Sequence, residues 1–193
     1  MINKIEDLKI DELKNTKFIH PIKASYLQNG KLKTWEAVRC HDSVAVLLYH
    51  EEKKSFLLVK QFRLPVYLND ENIKFTFELC AGLIDKDKSV EEIAIEEIDE
   101  ECGYKIDIKD LKKITSFFTN VGISGAKQYL FFACIDESLK IHDGGGINDE
   151  QIELFFLDID KVDEFIFNES KAKTPGLIFS LYWFLKNKND LGL

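Results

Sequence analysis

The chain has 193 residues, of which 45% are hydrophobic and 31% charged, and its formal net charge is −8. That length predicts one domain, or one domain with a small extra lobe, large enough to bury a core and too apolar to be disordered. An acidic chain without a Lys/Arg block argues against nucleic acid and anionic membranes as partners. No apolar run reaches the ~18 residues of a bilayer span, and the charged start holds no signal-peptide core, so a cytoplasmic protein is expected.

Taken in chain order, Phe18 to Cys40 alternates loosely around Gln28-Asn29-Gly30, and Asn-Gly between strand-like runs predicts a hairpin. Ser43 to Tyr49 and Ser55 to Phe62 are apolar and β-branched runs that predict a second, centrally buried hairpin. Phe75 to Cys80 reads as another strand. Ser89 to Cys102 is the clearest helix, with Ser89 and Glu92 as a capping box and Gly103 at the C-terminal cap. Ile114–Phe118, Gln128–Ile135 and Ile152–Leu157 read as strands, Gly144-Gly145-Gly146 as a mobile loop, and Thr174–Lys188 as a closing helix with Pro175 in its first turn. The class is therefore α+β, a mixed sheet with helices on its faces. Cys40, Cys80, Cys102 and Cys134 form no CxxC pair and predict buried free thiols. His20, His41, His50 and His142 share no ligand spacing with one another or with the cysteines, which argues against zinc, and His142 reads as an inert loop residue.

One helix is chemically odd. Glu91 to Glu101 carries seven acids and no base. Glu91, Glu92, Glu96 and Asp99 fall on a solvated side. Glu97 and Glu101, four apart, lie together beside the apolar strip of Val90 and Ala94, and Glu100 borders them. Like charges at that spacing repel, the helix dipole disfavours acids in the last turn, and partial burial adds a further cost. A divalent cation reverses the sign of all three effects, and hard oxygen donors without His or Cys suit Mg²⁺ or Mn²⁺. The bland alternative is a merely solvated acidic helix on an interaction domain.

The stretch from Gly82 to Tyr104 resembles the Nudix box, with Gly82, Glu97, Ile98, Glu100, Glu101 and Gly103 in register. Tyr104 replaces the final aliphatic. Lys88 stands where the first glutamate of the pattern belongs, and Glu96 stands where its arginine belongs. Thr34-Trp35-Glu36, Val59-Lys-Gln-Phe-Arg63, Glu78-Leu-Cys-Ala-Gly-Leu-Ile-Asp85, Gly122-Ile-Ser-Gly125 and Gly144-Gly-Gly146 look like the UDP-sugar pyrophosphatase branch of that family, which neighbours the ADP-ribose pyrophosphatases.

The resemblance implies a Nudix fold, with an N-terminal antiparallel β lobe over residues 1–40 that dimerises and a hydrolase domain over 41–193. It implies Mg²⁺-dependent cleavage of a nucleoside diphosphate sugar, UDP-glucose giving UMP and glucose 1-phosphate, with ADP-ribose as the alternative substrate. A nucleotide-sugar-binding domain without turnover is the alternative of another class, motivated by Lys88 and Glu96. By the same resemblance Glu97 and Glu101 bind metal with the carbonyl of Ala81, and Glu100 is a third ligand or activates water. Glu150 is the loop glutamate of the chemistry, ahead of Asp149 and Glu153. Arg63, at a strand end, offers a guanidinium fork to phosphate, and Glu78 orients it. Trp35 stacks the base, Gly122 lets backbone approach the substrate, Gln128 touches it, and Trp183 is core.

Overall fold

The computed structural model describes residues 9, 16, 19–147 and 150–193. Phe18 and Asp149 lie outside the described residues. The chain opens with β1 (His20–Gln28) and β2 (Lys31–Arg39), which pair as an isolated antiparallel hairpin. Asn29 and Gly30 both adopt positive φ, 53° and 75°, the two-residue turn that matches strand twist.

β3 (Ser43–His50) is the spine of the main sheet. Its side chains alternate between two buried layers, which explains its unbroken apolar run. Val44, Val46 and Leu48 meet Ile93, Ala94 and Ile98 on one face. Ala45, Leu47 and Tyr49 meet Leu177, Leu181 and Phe184 on the other. The mixed sheet is thus sandwiched between helices, as expected.

β4 (Ser55–Gln61) leads to α1 (Leu64–Asn69), a six-residue helix with Pro65 in its first turn that hydrophobic periodicity does not reveal. The expected strand Phe75–Cys80 is in fact two, β5 (Thr76–Glu78) and β6 (Cys80–Leu83), parted at Leu79. The reason lies in the sheet. β3 and β4 pair only over Leu48–His50 and Ser55–Leu57, then diverge. β5 follows β4 (Val59↔Glu78) and β6 follows β3 (Ala45↔Ala81), so the segment fills the wedge between them.

α2 (Val90–Glu97) starts at the capping box of Ser89 and Glu92, both of whose bonds form. It does not stay α-helical to Cys102. Ile98–Cys102 widens into a π-helical turn that ends at Gly103 in the left-handed region. β7 (Lys112–Phe118) is antiparallel to β8 (Lys127–Ile135), which runs parallel to β3. β9 (Glu153–Asp158) pairs with β4, α3 (Val162–Phe167) and β10 (Ala172–Lys173) follow, and α4 (Pro175–Asn187), capped by Thr174, closes the chain.

Three further expectations are corrected. Cys40 is exposed and Cys134 only half-buried, because the first lies past the hairpin and the second near the open end of β8; all four thiols are free. Trp183 packs against the core without being fully covered by it. The triglycine is pinned in place by the hydrogen bonds described below. No helix among the described residues is long and apolar enough to cross a membrane.

Candidate active site

The open end of the wedge is where the chemistry-bearing residues gather. One cavity of about 470 Å³ is lined by Arg63, Glu78, Ala81, Glu97, Glu100, Glu101, Gln128 and Glu150, every site residue expected from sequence except Trp35 and Gly122. Ser43, Gln61, Asp85 and Lys86 also stand in its wall. Lys86 is the cation that sequence reasoning missed; its place one residue after Asp85, in the loop after β6, is the only signal it carries.

Glu101 is the most buried of the acids, 5% exposed, and its Oε2 accepts the Ala81 N–H at 2.9 Å. Glu97 is pressed against Gly82 so closely that a Cβ there would lie 2.0 Å from its Oε1. A Cβ at Gly82 would drive that carboxylate aside. Burial, and next the charge of Glu100, push the Glu97 carboxyl up to about 7; Lys86 offsets part of the rise. Burial pushes Glu101 up to about 8, with the Ala81 N–H opposing and the charge of Glu97 adding.

Glu150 reaches the cavity from another segment. Its Oε2 accepts the Ile147 N–H at 3.0 Å. That loop is tied to the acidic helix through the triglycine. Gly145 N–H donates to Glu101 O (2.8 Å) and Gly146 N–H to Glu100 O (3.1 Å), which satisfies carbonyls that a helix end leaves open. A Cβ on Gly103 would lie 2.1 Å from His142 O, and one on Gly144 2.3 Å from Glu101 O, so the two glycines interlock with each other's backbone. His142 joins in, its Nε2 2.8 Å from Asp99 Oδ1. It is a strut between loop and helix, not an idle loop residue.

Arg63 and Glu78 form a two-pronged pair: Nε donates to Oε1 at 2.8 Å and Nη2 to Oε2 at 2.9 Å. Glu78 also accepts from Thr76 Oγ1. The carboxylate holds the Arg63 pKa above its ordinary value. Glu78 is nearly covered whereas the guanidinium is half-exposed, so Arg63 keeps donors free toward the cavity. Gln128 Nε2 donates to Ser43 Oγ at 3.3 Å, at the mouths of β8 and β3.

Trp35 and Gly122 are brought together with each other and not into this cavity. Trp35 Nε1 donates to Gly122 O at 3.1 Å, and Val38 N–H to Ile123 O at 2.9 Å. These bonds moor the hairpin to the loop before β8, which accounts for the indole's position on the exposed hairpin.

The site residues suit a divalent cation. Six carboxylates line one cavity, all hard donors, and Glu101, the most buried of them, has no cation in hydrogen-bond contact among the described residues. As placed, no three His, Cys, Asp or Glu side chains among the described residues are gathered into a finished cage.

The NUDIX domain matches residues 40–175. The chain is similar to the uridine diphosphate glucose pyrophosphatase of Bos taurus, 32% identical over 95% of both chains, and to that of Mus musculus, 29% identical over the same shares. It is also similar to the GDP-mannose pyrophosphatase of Cronobacter sakazakii, 34% identical over 68% of this chain and 69% of that protein. The acid register on α2, the wedge that carries it and the extent of the match together make this chain a member of the NUDIX domain family.

Proposed function

We propose that the protein hydrolyses the diphosphate of a nucleoside diphosphate sugar, UDP-glucose giving UMP and glucose 1-phosphate, with Mg²⁺ or, in its place, Mn²⁺. The observation that carries the reading is the convergence of Glu97, Glu100, Glu101 and Glu150 with Arg63 in one cavity. Relatives named for UDP-glucose and GDP-mannose pyrophosphatase activity support the substrate class.

Glu97, Glu101 and Glu100, with the Ala81 carbonyl, are the residues that would hold the metal. A divalent ion held there would supply neutralisation of diphosphate charge and would make an attacking water more acidic. The Arg63 fork donates to diphosphate oxygens while Glu78 keeps it oriented. Glu150 takes the proton of the attacking water. The water oxygen bonds to one phosphorus, the bond from that phosphorus to the bridging oxygen breaks, and the two monophosphates leave. Gln128 steadies the substrate at the mouth of β8.

Residues 1–40 form the dimer lobe and 41–193 the hydrolase domain. The hairpin supports this: Leu27 and Leu32 at its tip are 71% and 73% exposed, and a lone two-stranded hairpin is marginal in water. A second copy of the chain is the partner. Four unbridged cysteines suit a reducing compartment, the cytoplasm.

Incubation with UDP-glucose, GDP-mannose and ADP-ribose plus Mg²⁺, with products separated by chromatography, tests the proposal. UMP and glucose 1-phosphate are expected; no turnover of any of the three overturns it, and binding without turnover establishes the degenerate alternative.

A further inference from the structure

Two of the three positions at which the acidic motif departs from its pattern touch each other. Lys88 Nζ donates to Glu96 Oε1, and Lys86 Nζ donates to Glu96 Oε2 at 3.0 Å. Lys86 and Lys88 belong to the loop that leaves β6 at Leu83, and Glu96 belongs to α2, immediately before Glu97. Gly82, held in β6 opposite Val44 just before that loop, lies against the Glu97 carboxylate. Ser89 caps α2 from the loop's far end. The loop is therefore strapped to the helix at two places, Glu96 and the Ser89 cap, and the Glu96 strap lies one residue before the crowded Glu97.

We propose that Lys88 and Glu96 are one compensated change, a cation and an anion that clasp the loop after β6 (residues 84–88) to α2 and thereby position Glu97. Lys86 is the second arm of the clasp and the one that also lines the cavity. Both lysines and Glu96 are partly exposed, and such ion pairs add little to overall stability. Their value is geometric. Glu97 lies directly against Gly82 of β6, so a helix that shifts relative to that strand takes the carboxylate off its seat. Lys88 and Glu96 are positioning residues; neither touches the substrate in this reading.

This inference rests on Glu97 as a metal ligand, and its test reads metal binding directly, so it does not depend on which substrate is cleaved. Mn²⁺ binding is titrated by electron paramagnetic resonance for the unmodified chain and for Lys88→Glu, Glu96→Arg and the double exchange. A simple field effect makes opposite demands on the two single variants. Lys88→Glu adds negative charge and tightens Mn²⁺; Glu96→Arg adds positive charge and weakens it. A clasp demands that both weaken it, Glu96→Arg by about tenfold, the low end for groups that orient a metal ligand, and Lys88→Glu by less because Lys86 remains. The double exchange is then expected to return close to the unmodified affinity. Tighter binding by Lys88→Glu, or a double variant as weak as the two singles combined, overturns the proposal. Should a charge exchange fail to fold, Lys88→Gln and Glu96→Gln carry the same cycle: the double must bind no worse than the weaker single, and additive losses overturn the clasp. Loss of Mn²⁺ binding in the unmodified protein would instead refute the metal assignment.

Discussion

Glu101 Oε2 accepts the backbone N–H of Ala81 at 2.9 Å, so the acid one turn beyond Glu97 is tied to strand β6 across the wedge of the sheet. A glutamine there keeps an oxygen for that bond and loses the charge. Glu101→Gln is therefore expected to fold normally and to lose about 10²–10³-fold in kcat, the scale of one transition-state charge contact. Steady-state kinetics beside a thermal melt checks both halves.

The same acids give metal-free stability a definite slope with pH. Folded Glu97 and Glu101 keep their protons up to about 7 and 8, while the unfolded chain releases them near the ordinary 4.5. Folding takes up protons across that window, so this contribution is fullest below pH 4.5 and is lost as the pH rises through 8. The melting temperature in chelator is expected to fall between pH 5 and 8.5. Glu101→Gln flattens the fall, and Mg²⁺ at pH 8 raises the melting point by differential binding.

Removing Arg63 leaves Glu78 covered and without its fork. Arg63→Ala is expected to destabilise by about 1–3 kcal/mol, a melting shift of ~2–4 °C per kcal/mol at this size, and to raise KM. Arg63→Lys retains charge but not the two-pronged geometry, so it should recover most of the stability and little of the affinity for a diphosphate. Isothermal calorimetry with UMP and with UDP-glucose separates these effects.

Gly103→Ala meets both a φ of 76° and a carbonyl at 2.1 Å. A loss of at least about 2 kcal/mol is expected, with activity falling alongside because the carbonyls of Glu100 and Glu101 lose their donors. Gly122→Ala, where a Cβ meets nothing within 4 Å, is the control and should be neutral in a denaturant melt.

Glutamate at Leu27 and Leu32 places charge on the hairpin tip. Light scattering after size-exclusion chromatography is expected to show a dimer for the unmodified chain and a monomer for Leu27→Glu/Leu32→Glu. A monomer in both removes the lobe assignment.

The sequence made the strands and the acid register legible because each is a local, periodic signal. Ser89, Glu92 and Gly103 mark α2 by their own chemistry, and Glu97 with Glu101 stand out because uncompensated charge beside Val90 and Ala94 is costly. What it hid was long-range. The break at Leu79 exists only because β3 and β4 diverge, α1 and α3 are too short for a periodicity to show, and the widening at Ile98–Cys102 is a hydrogen-bond shift with no residue signature. Lys88 and Glu96 read as two separate defects along the chain and meet only when the loop folds back on the helix. The Gly144–Gly146 run, whose composition suggests looseness, is fixed by donors that face Glu100 and Glu101.

That last arrangement bears on redesign. Glu150 travels with a loop whose backbone is keyed into the terminus of the acidic helix, so the two cannot be exchanged independently between relatives. A chimaera that imports the 140–152 segment from another sugar-nucleotide enzyme must import the helix terminus through residue 103 as well, or the transplanted glutamate will arrive without its mounting.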